Sequence, residues 1–246
     1  MHSFVHTLAL LFVLLAPLGC DRASSESPAR LGEPAPGANA QPESIGLGAS
    51  AALAEGNGPR VVFLGDSITA GLHLPVDEAF PAVLGRLLEA EGRPIRLQAA
   101  GQSGDTSAGG LRRADWVLDP PPDILVVELG GNDALRGQPL ENITNNLRQI
   151  IRKGKNVGAR VLLLGMRIPT SYGPAYANGF AEIYEQLARE EEVAFIPFFM
   201  AAAVNTPGHM LSDGLHPSTR GHKALAETVL PHLRELLDEQ AQAQEK

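Results

Sequence analysis

The chain has 246 residues, of which 44% are hydrophobic and 20% are charged, and its formal net charge is −8. This length allows one large domain or two small ones, and it suffices to bury a core without help from disulfides or metals. The negative charge argues against partners such as nucleic acid or an anionic membrane surface, because both are bound through Lys and Arg.

Residues 1–20 are predicted to be a signal peptide. Residues 8–18 form an apolar run that is too short to cross a bilayer but typical of a secretory signal. Gly19 and Cys20 follow, and they resemble the lipobox of bacterial lipoproteins, in which the cysteine is lipidated. Cys20 is the only cysteine, so the chain forms no intrachain disulfide. We expect export to the periplasm or cell envelope with a lipid anchor at Cys20; a plain signal cut by the ordinary peptidase is the alternative.

The composition changes twice along the rest of the chain. Residues 21–58 are dominated by Ala, Gly, Ser and Pro, and they contain too few large apolar side chains to offset the entropy cost of ordering. We therefore predict a disordered linker over residues 21–58. It is followed by a folded domain over residues 59–240 and by a polar tail over residues 241–246.

Strand and helix patterns alternate within the predicted domain. Short apolar runs at 60–65, 95–99, 124–129, 160–165 and 193–198 lack the alternation of a half-exposed strand, which indicates strands covered on both faces. The segments between these runs have helical periodicity, and Trp116 on one of the predicted helices is expected in the core. A last helix over residues 217–239 should bend or break at Pro231. This order predicts a three-layer α/β/α fold around a doubly wound parallel sheet, in which ligands bind beyond the carboxyl ends of the strands.

Polar residues able to perform chemistry cluster at or just after the predicted strand ends. Ser67 follows the first strand and begins a helix, where it is either a nucleophile or only a helix N-cap. Asp213 lies three residues before His216, so its carboxylate can hold the histidine Nδ1–H and leave Nε2 free to accept the serine proton. Ser67, His216 and Asp213 are therefore the candidate catalytic residues.

Acyl transfer also requires donors for the oxyanion that develops on the substrate. The candidate donors are the backbone N–H of Ser67, the backbone N–H of Gly104 and the side-chain amide of Asn132. Asp66 and Asp133 are interpreted as carboxylates that stabilise turns. The histidines outside the triad are interpreted as surface or helix residues, and they are His73, His209, His222 and His232.

Four ordered segments resemble the motif blocks of the GDSL/SGNH hydrolase family. They are Gly65-Asp66-Ser67, Gly104 within residues 102–107, Gly130-Gly131-Asn132-Asp133, and residues 213–217. The chain also resembles the bacterial acyl-CoA thioesterase I, lysophospholipase and arylesterase group, on the evidence of residues 103–107, residues 128–133 with 135–137, and residues 167–169 followed by Tyr172-Gly173. The resemblance implies a five-stranded parallel sheet of the flavodoxin-like kind, Ser67 as nucleophile, and neither a metal nor another cofactor.

The expected reaction is hydrolysis of small acyl esters or thioesters through an acyl-serine. Leu72, Ile168, Pro169 and Tyr172 supply apolar surface that could line the acyl groove. Two alternatives remain open, namely a deacetylase of cell-wall or other polysaccharide and a non-catalytic lipoprotein that binds a partner. The only membrane association expected is through the lipid anchor, and the sequence does not indicate an oligomeric state.

Overall fold

The computed structural model describes residues 58–244. The predicted signal peptide, the lipidation at Cys20 and positions 21–57 of the predicted linker lie outside the described residues. Within the described part, no helix combines the length and the apolar character needed to cross a bilayer.

Five parallel strands form one sheet in the described part of the chain. The strands are β1 (Arg60–Gly65), β2 (Arg96–Gly101), β3 (Ile124–Glu128), β4 (Arg160–Leu164) and β5 (Ala194–Ile196). Their spatial order is β2-β1-β3-β4-β5. The predicted five-stranded parallel sheet is therefore confirmed, although β2 is shifted toward the C-terminus relative to its apolar run and β5 is shorter than predicted.

Helices cover both faces of this sheet, as predicted for a three-layer α/β/α fold. They are α1 (Ser67–Ala70), α2 (Phe80–Ala90), α3 (Ser107–Val117), α4 (Gly131–Leu135), α5 (Leu140–Asn156), α6 (Pro174–Glu191), α7 (Ala201–Val204) and α8 (Thr219–Gln244). α2 and α7 pack against α8, whereas α3 and α6 pack against α5. Every residue of β1 and β3 is buried, which explains why their sequences are apolar without alternation.

The register of the sheet brings three strand ends together. Gly65, the last residue of β1, pairs with Gly101 of β2 and with Glu128 of β3. The segments that follow these strands therefore leave the same edge of the sheet side by side. Since the connections from β1 and β3 leave this edge near the point where the strand order reverses, a ligand site is expected there.

One expectation about an individual residue is wrong, and the break considered at Pro231 does not occur. Trp116 is 67% exposed on α3, so it is not part of the core. α8 runs from Thr219 to Gln244 through Pro231 without a break, and it includes the first residues of the predicted polar tail. Pro231 is exposed, so water can bond the carbonyl oxygen that its missing N–H leaves unpaired.

Candidate active site

Ser67, His216 and Asp213 form a chain of hydrogen bonds at the carboxyl edge of the sheet. Ser67 is the first residue of α1, directly beyond β1, and its Oγ lies 2.9 Å from His216 Nε2. His216 Nδ1 lies 2.7 Å from Asp213 Oδ2. The structure thus brings together three residues that are separated by up to 149 positions in sequence. This arrangement suits removal of the serine proton by the imidazole.

The backbone of the loop fixes the carboxylate of Asp213. Asp213 Oδ1 accepts hydrogen bonds from the backbone N–H of His216 at 3.0 Å and of Leu215 at 2.9 Å. Hydrogen bonds from the His216 backbone, then from its ring, and then from Leu215 hold the pKa of Asp213 far below its ordinary value. Asp213 is therefore ionised at neutral pH, which favours the tautomer of His216 with its proton on Nδ1.

The three predicted oxyanion donors lie in segments that follow β1, β2 and β3. Gly104 has φ +79°, a left-handed conformation that glycine adopts without strain, and its carbonyl accepts a hydrogen bond from Arg136 at 3.1 Å. Asn132 donates one amide hydrogen to Asp66 Oδ2 at 3.0 Å. Because a primary amide carries two N–H groups, this bond orients Asn132 and leaves the second N–H for another acceptor.

Asp66 is buried beside the nucleophile and caps its helix. Its Oδ1 accepts from the backbone N–H of Ile68 at 3.0 Å, which is the N-cap role expected of a turn carboxylate. Burial raises the pKa of Asp66 to about 6, while hydrogen bonds from Ile68 and Asn132 oppose that rise. Asp66 therefore connects the turn of Ser67 to Asn132.

Glu128 is a buried carboxyl that the sequence interpretation missed. It is fully buried at the end of β3, and its Oε2 accepts from Thr69 Oγ1 at 2.8 Å and from the backbone N–H groups of Asp66 and Thr69, both at 3.2 Å. A Cβ at Gly65 would lie only 2.6 Å from this oxygen, so glycine is needed there. Glu128 therefore fixes the backbone on both sides of Ser67. In the sequence, the signal that could have revealed this role is the single carboxyl at the end of the apolar run ILVVE.

The electrostatics around Glu128 favour its neutral form. Burial, followed by repulsion from Asp66, raises the pKa of Glu128 well above its ordinary value. Its Oε1 is buried without a hydrogen-bond partner among the described residues. A protonated Glu128 avoids placing two negative charges in one buried site.

Asp133 connects two of the loops that carry the candidate donors. Its Oδ2 accepts from the backbone N–H of Ser107 and its Oδ1 from the hydroxyl of Ser107, both at 2.7 Å. Asn146 of α5 donates to the same hydroxyl at 3.0 Å. Asp133 therefore holds the start of α3, which follows Gly104, against α4, which contains Asn132.

An apolar cavity of about 380 Å³ opens beside Ser67 and His216. Among the described residues that line it are Ile168 and Pro169, which were expected in the acyl groove, whereas Leu72 and Tyr172 are not among them. Most of its apolar lining comes from the segments that follow β1, β3, β4 and β5 and from the loop of His216. These apolar residues are Ile68, Leu135, Met166, Ile168, Pro169, Phe198, Met200, Val204, Met210 and Leu215.

Comparison with known proteins identifies the family. Residues 63–224 match the model of the GDSL-like Lipase/Acylhydrolase family. Esterase TesA of Pseudomonas aeruginosa is 40% identical over 178 residues, which cover 72% of this chain and 89% of that protein. An arylesterase of Vibrio mimicus is 37% identical, and the match covers 71% of this chain and 88% of that protein. Thioesterase 1/protease 1/lysophospholipase L1 of Escherichia coli K12 is 36% identical, and the match covers 72% of this chain and 85% of that protein.

Solved structures agree with this assignment. A crystal structure of TesA has a TM-score of 0.70 and covers 72% of this chain and 99% of its own, at 40% identity. The psychrotrophic esterase EstA from Pseudoalteromonas, inhibited by monoethylphosphonate, also has a TM-score of 0.70, at 30% identity, and covers 73% of this chain and 99% of its own.

The chain belongs to the GDSL-like lipase/acylhydrolase family, as its four motif segments predict. It is a carboxylic ester hydrolase of the serine esterase type.

Proposed function

We propose that Ser67, His216 and Asp213 are the catalytic triad of this ester hydrolase. The observation that carries the proposal is the 2.9 Å contact between Ser67 Oγ and His216 Nε2 at the mouth of an apolar cavity. The hydrogen bond from His216 Nδ1 to an ionised Asp213 supports the assignment of His216 as the general base.

The proposed reaction begins when Ser67 Oγ attacks the acyl carbonyl carbon and its proton passes to His216 Nε2. The C=O electron pair moves to the oxygen, and this oxyanion accepts hydrogen bonds from the N–H groups of Ser67, Gly104 and Asn132. Collapse of the intermediate expels the alcohol or thiol, which takes the proton from His216, and leaves an acyl-Ser67 ester. Water, deprotonated by His216, then attacks this ester; collapse of the second intermediate releases the carboxylic acid, and the leaving Ser67 Oγ takes the proton back from His216.

The preferred substrates in this proposal are short- to medium-chain esters and thioesters. An apolar cavity of about 380 Å³ suits an acyl chain better than a sugar, which disfavours the alternative of polysaccharide deacetylation. Each methylene that enters such a cavity contributes about 0.8 kcal/mol, or roughly fourfold in kcat/KM. The names of two relatives, which include arylesterase, thioesterase and lysophospholipase, support extending the proposal to aryl esters and lysophospholipid, and acyl-CoA is the thioester that we propose.

The proposal also includes export and a lipid anchor. The apolar run over residues 8–18 and the pair Gly19-Cys20 support export followed by lipidation of Cys20. Incorporation of a labelled fatty acid into the wild-type chain, and its absence from Cys20→Ala, would be the expected result. A processed chain that carries no label would instead favour cleavage by the ordinary peptidase.

Hydrolysis of p-nitrophenyl esters from acetate to palmitate tests the proposed triad. We expect Ser67→Ala to lower kcat by at least about 10⁴-fold. Ser171→Ala is the matched control, because Ser171 is an exposed serine outside the proposed machinery. A Ser67→Ala enzyme with wild-type kcat would overturn the assignment, and a folded wild-type protein inactive on every ester would direct the search to acetylated polysaccharides.

A further inference from the structure

His73 presents a second imidazole beside the proposed catalytic histidine. The rings of His73 and His216 lie edge to face, with their centroids 5.9 Å apart and their planes at 86°. His73 is exposed and has φ +71°, a conformation that histidine adopts more readily than most residues. It follows Gly71, whose carbonyl accepts a hydrogen bond from the backbone of Leu74 at 2.9 Å and closes the turn. The turn after α1 therefore holds this ring at the rim of the site.

Three side chains lie close enough together to bind one metal ion, namely those of His73, Asp213 and His216. One nitrogen from each histidine and one carboxylate oxygen all lie within 4.8 Å of one another. Bond lengths of 2.0–2.2 Å place neighbouring ligands of a tetrahedral Zn²⁺ about 3.3 Å apart. The exposed side chains of His73 and Asp213 can close this gap by small rotations. Two imidazoles and a carboxylate are the ligand types of open zinc sites, in which water takes the fourth position.

We infer that these three residues form an inhibitory site for Zn²⁺ or a similar transition-metal ion. The inference rests on the proposed role of His216 as general base. Coordination at Nε2 occupies the lone pair that must accept the proton of Ser67. Coordination at Nδ1 breaks the bond to Asp213 and requires the tautomer with the proton on Nε2, which leaves no lone pair facing Ser67 to accept its proton. In either case the metal stops transfer of the serine proton, and Mg²⁺, which prefers oxygen ligands, should not.

The first experiment measures inhibition of ester hydrolysis by ZnCl₂ in a buffer that does not bind metals. Loss of even an outer-shell partner typically weakens metal binding 10- to 100-fold, so His73→Asn should raise the inhibitory concentration at least about tenfold. Asparagine tolerates the left-handed backbone of residue 73, and His73→Gly serves as a second variant without strain. MgCl₂ at the same concentrations should leave the rate unchanged.

A matched control is available on α8. His232 lies in a separate cavity with Arg160 and Ala194, which begin β4 and β5 at the opposite edge of the sheet. His232→Asn removes an imidazole without touching the proposed metal site, so its sensitivity to zinc should equal that of the wild type. Equal sensitivity of the wild type and both His73 variants would overturn the inference.

The second experiment measures zinc binding without catalysis. Isothermal titration of the Ser67→Ala protein with ZnCl₂ should reveal one site that disappears from the Ser67→Ala/His73→Asn protein. An unchanged zinc stoichiometry and affinity in the double variant would refute the site. This titration tests whether the metal site exists, and its result does not depend on whether Ser67 is the nucleophile. Esterase assays of Ser67→Ala without zinc test the proposed function separately.

Discussion

Replacement of Glu128 by Gln tests whether a neutral carboxyl supports the nucleophile turn. The folded state keeps Glu128 protonated, because burial and the neighbouring Asp66 raise its pKa well above the ordinary value of 4.5. The unfolded chain loses this proton near pH 4.5. Above that pH the folded state binds one more proton than the unfolded state, so the free energy of unfolding of the wild type falls as pH rises.

The size of this effect follows from linkage. The free energy of unfolding should fall by about 1.4 kcal/mol per pH unit as long as Glu128 stays protonated in the folded protein. Glu128→Gln cannot titrate at this position, whereas both proteins retain Asp66. The variant should therefore gain stability relative to the wild type as pH rises, by about 1.4 kcal/mol for each pH unit over which Glu128 stays protonated in the folded state. Even one such pH unit is readily measured against the roughly 5–15 kcal/mol that stabilises a domain.

Urea unfolding at pH 5, 6 and 7, followed by circular dichroism, measures the difference. Glu141→Gln is the matched control, since Glu141 is exposed in the first turn of α5, and its stability should run parallel to that of the wild type. Parallel curves for wild type and Glu128→Gln would refute the reasoning, because they would mean that Glu128 is ionised in the folded state.

The truncation Glu128→Ala separates charge from hydrogen bonding. It leaves three buried donors without their acceptor, namely the N–H groups of Asp66 and Thr69 and the hydroxyl of Thr69. Each such loss costs about 1–3 kcal/mol, so we expect this variant to be destabilised by at least about 3 kcal/mol. Gln keeps a carbonyl oxygen for these donors and should retain most of the esterase activity.

Three further substitutions probe the active site. Asp213→Asn should lower kcat by about 10⁴-fold in an ester assay, because the wrong tautomer of His216 is then favoured; an unchanged kcat would contradict the triad. Asn132→Ala should lower kcat by about 10²–10³-fold with little change in KM, and a change confined to KM would argue against an oxyanion role. Ile168→Trp should lower kcat/KM for octanoate by at least about fourfold relative to acetate, the equivalent of one lost methylene, whereas Leu72→Trp, outside the cavity lining, should not.

The sequence predicts the scaffold well because the physical signal is local. Each strand of a parallel sheet covered on both faces needs a continuous apolar run, and all five predicted runs contain the observed strands or overlap them. The candidate residues Ser67, Gly104 and Asn132 follow strand ends, so topology alone predicts that they meet at one edge of the sheet. Asp213 and His216 lie only three residues apart, so the sequence alone predicts that they pair.

The features that the sequence did not predict depend on distant contacts. The role of Glu128 follows from the register that pairs it with Gly65, which no local pattern specifies. The cavity draws on Phe198 and Met200, more than 130 positions from Ser67, and these residues carry no motif. Trp116 is apolar but lies on an exposed face of α3, and periodicity did not reveal its orientation.

The proposed triad joins two structurally different halves. Ser67 is 7% exposed and directly follows a buried central strand. Glu128 accepts hydrogen bonds from the backbone N–H groups on both sides of it. The side chain of Asp213 is 37% exposed, and the backbone N–H groups that bond its carboxylate, those of Leu215 and His216, belong to its own loop. Substitutions beneath Ser67 should therefore be detected first as losses of stability, whereas substitutions at Asp213 should change kcat with little effect on unfolding. Because the loop that carries Asp213 and His216 is exposed, His216 is accessible from the side of His73. A metal ion can approach it there without disturbing the core.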